Sequence, residues 1–207
     1  MNRKDNDVRQ LFRRRTNVLK TLRDRGFTLP ESLDKLTYTD FVKLYHEDRH
    51  HIYVPEEVPG DNGVYVYFEQ NEEMNKKILE SRVGKIGKEY PNLRKLFFVM
   101  KMGSGMKKHS MFVQSAIEKE KEYAHVEILD NIYPFDMMKN VLIPLRQRVL
   151  SEVERKDMEE KYGDLTKFPK VGKDDPMAKH YGAKPGDLME IVRKEGIYYR
   201  LVVAHPK

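Results

Sequence analysis

The strand signal of Val64–Phe68 and the continuous apolar run Leu96–Met100 constrain this chain most. A strand with one face in water alternates apolar and polar residues, whereas an unbroken apolar run marks a strand covered on both faces. Between the two, residues 72–88 carry a helical pattern that Gly84 and Gly87 weaken toward its end. A polar-faced helical stretch at 109–122 leads to a third strand at His125–Leu129. Strand, helix, strand, helix, strand over 64–129 predicts a small α/β layer with partly parallel strands, because helical crossovers join parallel neighbours.

Ahead of this layer, Val8, Leu11, Phe12, Val18, Leu19 and Leu22 line one face of a helix over residues 8–25, and Gly26 is its stop. Arg9, Arg13 and Lys20 fall opposite the apolar face; Arg15 falls inside it and must snorkel or find a carboxylate. The whole net charge of +6 resides in the first thirty residues, which hold nine basic and three acidic side chains. Such a local excess suits a polyanion or an acidic protein patch, and equally a solvated helix face. A capping box at Thr37 and Asp40 starts a second short helix through Phe41 and Tyr45. Residues His51–Val54 and a loop rich in proline and glycine precede the first strong strand.

Past residue 130 the character changes, with breaks at Asn131, Pro134 and Pro144, so a domain boundary is placed near 125–133. Ser151 and Glu154 form a second capping box for a helix ending near Tyr162 and Gly163. Asp187–Arg193 and Ile197–Val203 read as two strands around a tight turn at Glu195–Gly196. Met189, Ile191, Leu201 and Val203 are expected on one face of that sheet. A two-stranded sheet cannot bury its apolar face unaided, so a covering partner is expected.

The catalytic options are thin. The chain has no cysteine, which removes disulfides, thiolate metal sites and cysteine nucleophiles. His46, His50 and His51 have metal-like spacing but no carboxylate at a convincing distance along the chain, so no metal site is assigned. Gly103–Ser104–Gly105 lacks both glycine-rich nucleotide fingerprints; with Lys101, Lys107 and Lys108 it suits contact with a phosphate backbone, or is an ordinary strand-to-helix turn. Glu69 has no partner acid beside it, and Glu118, Glu120 and Glu122 alternate with lysines as on a solvated face, so no nuclease constellation emerges. No cofactor, small-molecule substrate or membrane span is expected, and the charged first twenty residues do not read as a secretory signal.

The stretch from Asp175-Pro176-Met177-Ala178-Lys179-His180-Tyr181-Gly182 through Lys184, Gly186 and Ile191-Val192-Arg193, followed by Tyr198-Tyr199-Arg200-Leu201-Val202, resembles the C-terminal signature of the fifth shared subunit of eukaryotic RNA polymerases and of its archaeal counterpart. Phe168-Pro169-Lys170-Val171 is similar to its lead-in. Leu11–Phe27, with Phe41 and Tyr45, resembles the N-terminal jaw domain that the archaeal form lacks. The resemblance implies an α+β protein: an N-terminal α/β jaw domain over 1–128 with a small mixed sheet in a nuclease-like arrangement, and a small α+β assembly domain over 133–207.

The same resemblance implies a non-catalytic subunit of a DNA-directed RNA polymerase, working in transcription. Such a subunit docks on the largest subunit through its C-terminal domain and lines the channel of downstream duplex DNA, met without sequence preference. On this resemblance Pro176, Tyr181, Arg193, Tyr199 and Arg200 are the docking candidates, and Lys101, Ser104, Lys107 and Lys108 the DNA-proximal ones. The turn at Arg193–Ile197 is shorter than is usual in the family, and the jaw loop lacks the family's proline. The implied place of work is intracellular: the nucleus for a cellular protein, a viral factory or virion for one encoded by a large DNA virus. A free-standing, sequence-independent nucleic-acid-binding protein stays open as the alternative, and a divergent nuclease as the weaker one; neither accounts for residues 175–202.

Overall fold

The computed structural model describes residues 3–55, 63–69, 76–90, 93–100, 125–129, 132, 135–144 and 146–205. They form two compact units, residues 30–132 and the pairing of residues 1–29 with 133–207. Each carries one four-stranded sheet.

The first helix of the chain, α1 (Arg3–Asp24), belongs to the paired unit, so residues 30–132 begin their helices with α2 (Tyr38–His46). Thr37 starts α2 as its sequence predicts: its hydroxyl oxygen accepts the Asp40 N–H at 3.2 Å. Strands β1 (Ile52–Val54), β2 (Gly63–Glu69), β3 (Leu93–Met100) and β4 (His125–Leu129) stand side by side in that order, with α3 (Lys76–Glu89) between β2 and β3 in the chain. The pairs β2–β3 and β3–β4 are parallel, and the edge strand β1 is antiparallel to β2. Mixed pairing with helical crossover is what the order of patterns predicts. The second crossover, expected to be helical at 109–122, lies outside the described residues.

The reason β3 is so apolar is visible in its alternation. Leu96, Phe98 and Met100 pack with Leu79, Val83 and Ile86, spaced along one side of α3, and Tyr65 and Leu93 complete this core. Phe97 and Val99 point the other way and are buried too. Both faces of the strand are therefore dry over residues 96–100, where no polar residue occurs.

The other unit is built on α1, which starts five residues before the first apolar position of its stripe, Val8. Val8, Leu11, Val18, Leu19 and Leu22 are buried, as the stripe requires. Arg15 is buried as its position in that stripe demands, and Arg14 is buried beside it; desolvation pulls the Arg14 pKa down to about 10. Chain order groups this helix with the residues that come directly after it, whereas the structure groups it with residues 133–207.

Four strands make the second sheet: β5 (Arg146–Val149), β6 (Lys170–Gly172), β7 (Leu188–Arg193) and β8 (Gly196–Val203), in the order β5-β7-β8-β6. The two-stranded sheet read from the sequence thus gains two short edge strands, of four and three residues, too short to show a period. The expected facing of side chains is also corrected. The tight turn pairs Arg193 with Gly196, so odd positions on β7 oppose even positions on β8. Leu201 therefore lies opposite Leu188, packing with Leu150 and Leu165, while Met189 lies opposite Arg200 and packs with Val202 and Ala178. Both faces are covered from within the unit by α4 (Glu152–Tyr162), α5 (Pro176–His180) and the loops beside them.

The capping box at the start of α4 is complete: Ser151 N–H donates to Glu154 Oε2 at 2.8 Å and Glu154 N–H to Ser151 Oγ at 3.3 Å. Arg148 adds a 2.7 Å ion pair to Glu154 and reaches Glu190 on β7 at 2.9 Å. The backbone N–H of Ser151, then Arg148, hold the Glu154 carboxyl down at about 2. A depressed carboxyl stabilises the fold above its unfolded pKa and ceases to as pH falls through the folded value. Thermal melting of Glu154→Gln against the parent should differ at about pH 6, and the gap should close between roughly pH 4 and about 2.

Candidate docking surface

The signature stretch folds around α5, a helix of about one and a half turns. Asp175 caps it, accepting the N–H groups of Met177 at 2.8 Å and Ala178 at 3.4 Å, and Pro176 occupies the first turn, where its missing N–H costs nothing. So short a helix has little following turn to satisfy its last carbonyls: that of Lys179 accepts the Gly182 N–H at 3.1 Å and has room for a second donor. Arg25, just past the end of α1, supplies the donors: Nε binds the His180 carbonyl at 2.8 Å and Nη2 binds that of Lys179. Gly182 comes next with φ of +66°, and a Cβ there would meet the Arg25 guanidinium carbon at 3.2 Å. The glycine thus permits both the turn and the approach of the arginine.

The buried His180 ring completes this joint. Its Nε2 lies 2.8 Å from Asp24 Oδ2, and its Nδ1 lies 3.4 Å from Thr21 Oγ1. Threonine, histidine and aspartate in a row have the order of a hydrolytic triad. Here the hydroxyl donates to the Asn17 carbonyl at 2.9 Å and is itself buried, so no substrate can meet it. The arrangement clamps α1 to α5. Further along, Asn17 Nδ2 donates to the Phe135 carbonyl at 3.0 Å and Lys20 pairs with Asp136.

The five docking candidates divide by surroundings. Pro176 lines a groove beside Phe135 and Ile143. Tyr181 is half-buried against Ala178, Met189 and Val202; burial, then the Asp24 charge, push its hydroxyl up, while a hydrogen bond from the Gln147 backbone opposes them. Tyr199 is half-buried too, its ring edge-on to Phe168 and its hydroxyl 3.4 Å from Glu190. Arg193 and Arg200 are exposed on β7 and β8. Lys101, Ser104, Lys107 and Lys108 lie outside the described residues.

Nothing in the sequence marks one further surface. Ile143 N–H donates to the Asn140 carbonyl at 3.0 Å, and Leu142 N–H to the Asn140 side chain at 3.0 Å, closing a tight turn. At its tip Val141 is 95% and Leu142 82% exposed, and Phe135, earlier in the same segment, is 60% exposed. Beside the turn runs a groove of about 570 Å³ walled by Phe135, Met137, Ile143, Pro176 and Met177.

Residues 135–202 match the family of the RNA polymerase Rpb5 C-terminal domain. The subunit Rpo5 of DNA-directed RNA polymerase from Pyrococcus abyssi is 45% identical over 75 residues, which is 33% of this chain and 90% of that protein. The Archaeoglobus fulgidus Rpo5 is 40% identical over 75 residues, 33% of this chain and 97% of that protein. This chain belongs to the Rpb5/Rpo5 family of RNA polymerase subunits. Similarity is not confined to the C-terminal part: the DNA-directed RNA polymerase subunit 5-like protein 1 of Arabidopsis thaliana is 21% identical over 200 residues, 92% of each chain. Family membership makes this a non-catalytic polymerase subunit acting in transcription, with other polymerase subunits as partners.

The histidines singled out in the sequence lie in residues 30–132, at the end of α2 and in the turn that leads to β1. Among the described residues, Asp48, His50 and His51 are the group of three whose ligand atoms lie within 4.8 Å of one another. The turn that ends α2 brings the carboxylate round: Asp48 has φ of +55°, so a residue dismissed on spacing along the chain comes within 3.9 Å of both rings. His46 is not in the group. His51 Nδ1 accepts the Phe68 N–H at 3.2 Å, capping the β2 ladder beyond the end of β1. A neutral His51 so engaged keeps its proton on Nε2 and turns a donor toward Asp48, where a metal needs a lone pair. Glu69, the lone acid of the nuclease idea, is buried with Arg82 3.8 Å away.

Proposed function

We propose that this chain anchors to the largest subunit of an RNA polymerase through residues 133–207, with which α1 is grouped, and that residues 30–128 form a jaw lining the downstream DNA channel. The observation that carries the docking part is one of extent. The archaeal relatives are polymerase subunits hardly longer than the 75 residues shared with this chain, so what assembles them belongs to the shared third. Pro176, Arg193 and Arg200 are the proposed contacts, with Tyr181 and Tyr199 shaping the surface under them. For the jaw, the family resemblance and the lysines at 101, 107 and 108, with Ser104, support contact with phosphates. Within the +6 segment at the front, Lys20 pairs with Asp136 and Arg25 bonds to the α5 carbonyls, and Arg9 and Arg13 are exposed on α1.

The test is affinity purification of the tagged chain from its native source with quantitation of co-eluting proteins. The two largest polymerase subunits are expected in near-equal amounts to the bait. Recovery of the chain alone, or with bare nucleic acid, would favour the free-standing nucleic-acid binder. For the jaw, replacing Lys101, Lys107 and Lys108 by alanine should leave that recovery unchanged and flatten the salt dependence of DNA retention by the complex. An unaltered salt slope would remove these lysines from the DNA path.

A further inference from the structure

We infer that the turn Asn140–Ile143 is an aliphatic knob that inserts into an uncharged, apolar pocket on another RNA polymerase subunit. The inference rests on the docking reading above and adds the contact that does the docking. Turn tips favour glycine, proline, asparagine, aspartate and serine, which suit the backbone and prefer water. This turn places the asparagine at its first position, where its side chain braces the backbone, and then exposes valine and leucine almost fully. Single apolar residues on a surface need no explanation. Two adjacent ones on a braced turn, with Phe135 exposed in the same short segment, make a patch, and patches mark interfaces.

The bracing also decides what kind of contact this is. The bonds of Leu142 and Ile143 to Asn140 fix the shape of the turn, and in that shape both tip side chains stand in solvent. Valine has a stiff χ1 and leucine little rotamer entropy, so burying this pair costs little order. Side chains already held in one geometry keep more of their burial energy as affinity, because less is lost in ordering them. Of the charged groups around the knob, Asp136 caps Met138 N–H and pairs with Lys20, Asp175 caps α5, and Lys139 stands exposed at the rim. The two acids ask the partner for no counter-charge and the tip itself is aliphatic, which is why the pocket that receives the tip is expected to be apolar. The groove that adjoins the knob has Phe135, Met137, Ile143, Pro176 and Met177 as its apolar wall, with Asp136, Lys139 and Asp175 also lining it. All of it lies within residues 135–202, the part matched by the family model.

The experiment uses the full chain carrying Val141→Asp and Leu142→Asp together, beside a Val141→Ile, Leu142→Met control. Both positions are bare to solvent, so the thermal midpoint should not move in either variant. In affinity purification at equal expression, the aspartate variant should recover polymerase subunits roughly 30-fold less per bait than the parent, because carboxylates without partners are costly to bury in an apolar pocket. The control should recover them as the parent does. A photo-crosslinking residue at position 142 of the parent should form its adduct with another polymerase subunit. Parent-like recovery by the aspartate variant overturns the knob while leaving the docking reading intact, and so does an adduct with a second copy of this chain. Failure of the parent itself to recover polymerase overturns the docking reading, and the knob falls with it.

Discussion

Phe98→Ala is expected to cost about 3–5 kcal/mol, the usual loss for emptying a fully buried aromatic position. Phe98 lies within β3, completely buried, packed in one core with Leu79 and Val83 of α3 and with the Tyr67 ring centroid 5.6 Å from its own. The neighbours that would line the space are apolar, so water gains nothing by entering. Domains of this size have about 5–15 kcal/mol in total, so the loss is a large share of what the unit has. Because the chain forms two units, the effect should be local. Urea unfolding followed by tyrosine fluorescence, read alongside the NMR signals of Met189 and Val202, should show an early transition in residues 30–132. The resonances of the other unit should keep the parent midpoint. If both sets of signals moved together, the units would be one cooperative body and the local argument would be wrong.

The second large effect concerns the clamp between α1 and α5. Arg25→Ala removes two charge-assisted bonds to the carbonyls that end α5, for an expected loss of about 2–3 kcal/mol. Gly182→Ala should cost a comparable amount by another route: a side chain at φ of +66° is strained, and its Cβ presses on the guanidinium at 3.2 Å. The pair gives a stricter test than either alone. With Arg25 already gone, Gly182→Ala loses its steric opponent and keeps only the backbone strain, so the double variant should be more stable than the two single losses summed would allow. Additive losses in a double-mutant cycle would mean that arginine and glycine act independently.

Some of these features are legible in the residues alone. Continuous apolar runs reveal the parallel strands, because a strand dry on both faces leaves no room for polar residues at either parity. The capping boxes at Thr37 and Ser151 are legible because a cap is a short-range bond between residues three apart. Edge strands β5 and β6 are not, being too brief for any period to show. Leu201 lies on the face opposite to the expected one because parity across a hairpin is fixed by the length of its turn, and β8 begins at Gly196 instead of Ile197. The clamp is hidden for a different reason. Asp24, Arg25 and His180 are ordinary residues in sequence and meet across 155 and 156 positions. Even so, five positions of the signature have a structural cause: a cap at Asp175, a tolerated proline at 176, a buried Ala178, a clamped His180 and a Gly182 that lets Arg25 in. The knob is silent in sequence because exposure cannot be read from residue type; valine and leucine usually signal the interior.

The grouping of α1 with the C-terminal residues has a consequence for how the gene for such a chain could be cut. Head and tail share one body, so residues 30–132 are, topologically, a passenger spliced into a connection of its host. A passenger of this kind is removable. A chain that runs from Leu29 through a glycine-serine tether to Tyr133 retains every residue of the clamp, the capped α4 and both faces of the second sheet. It would be a miniature much nearer in length to the archaeal proteins, yet still carrying a helix of its own at the front.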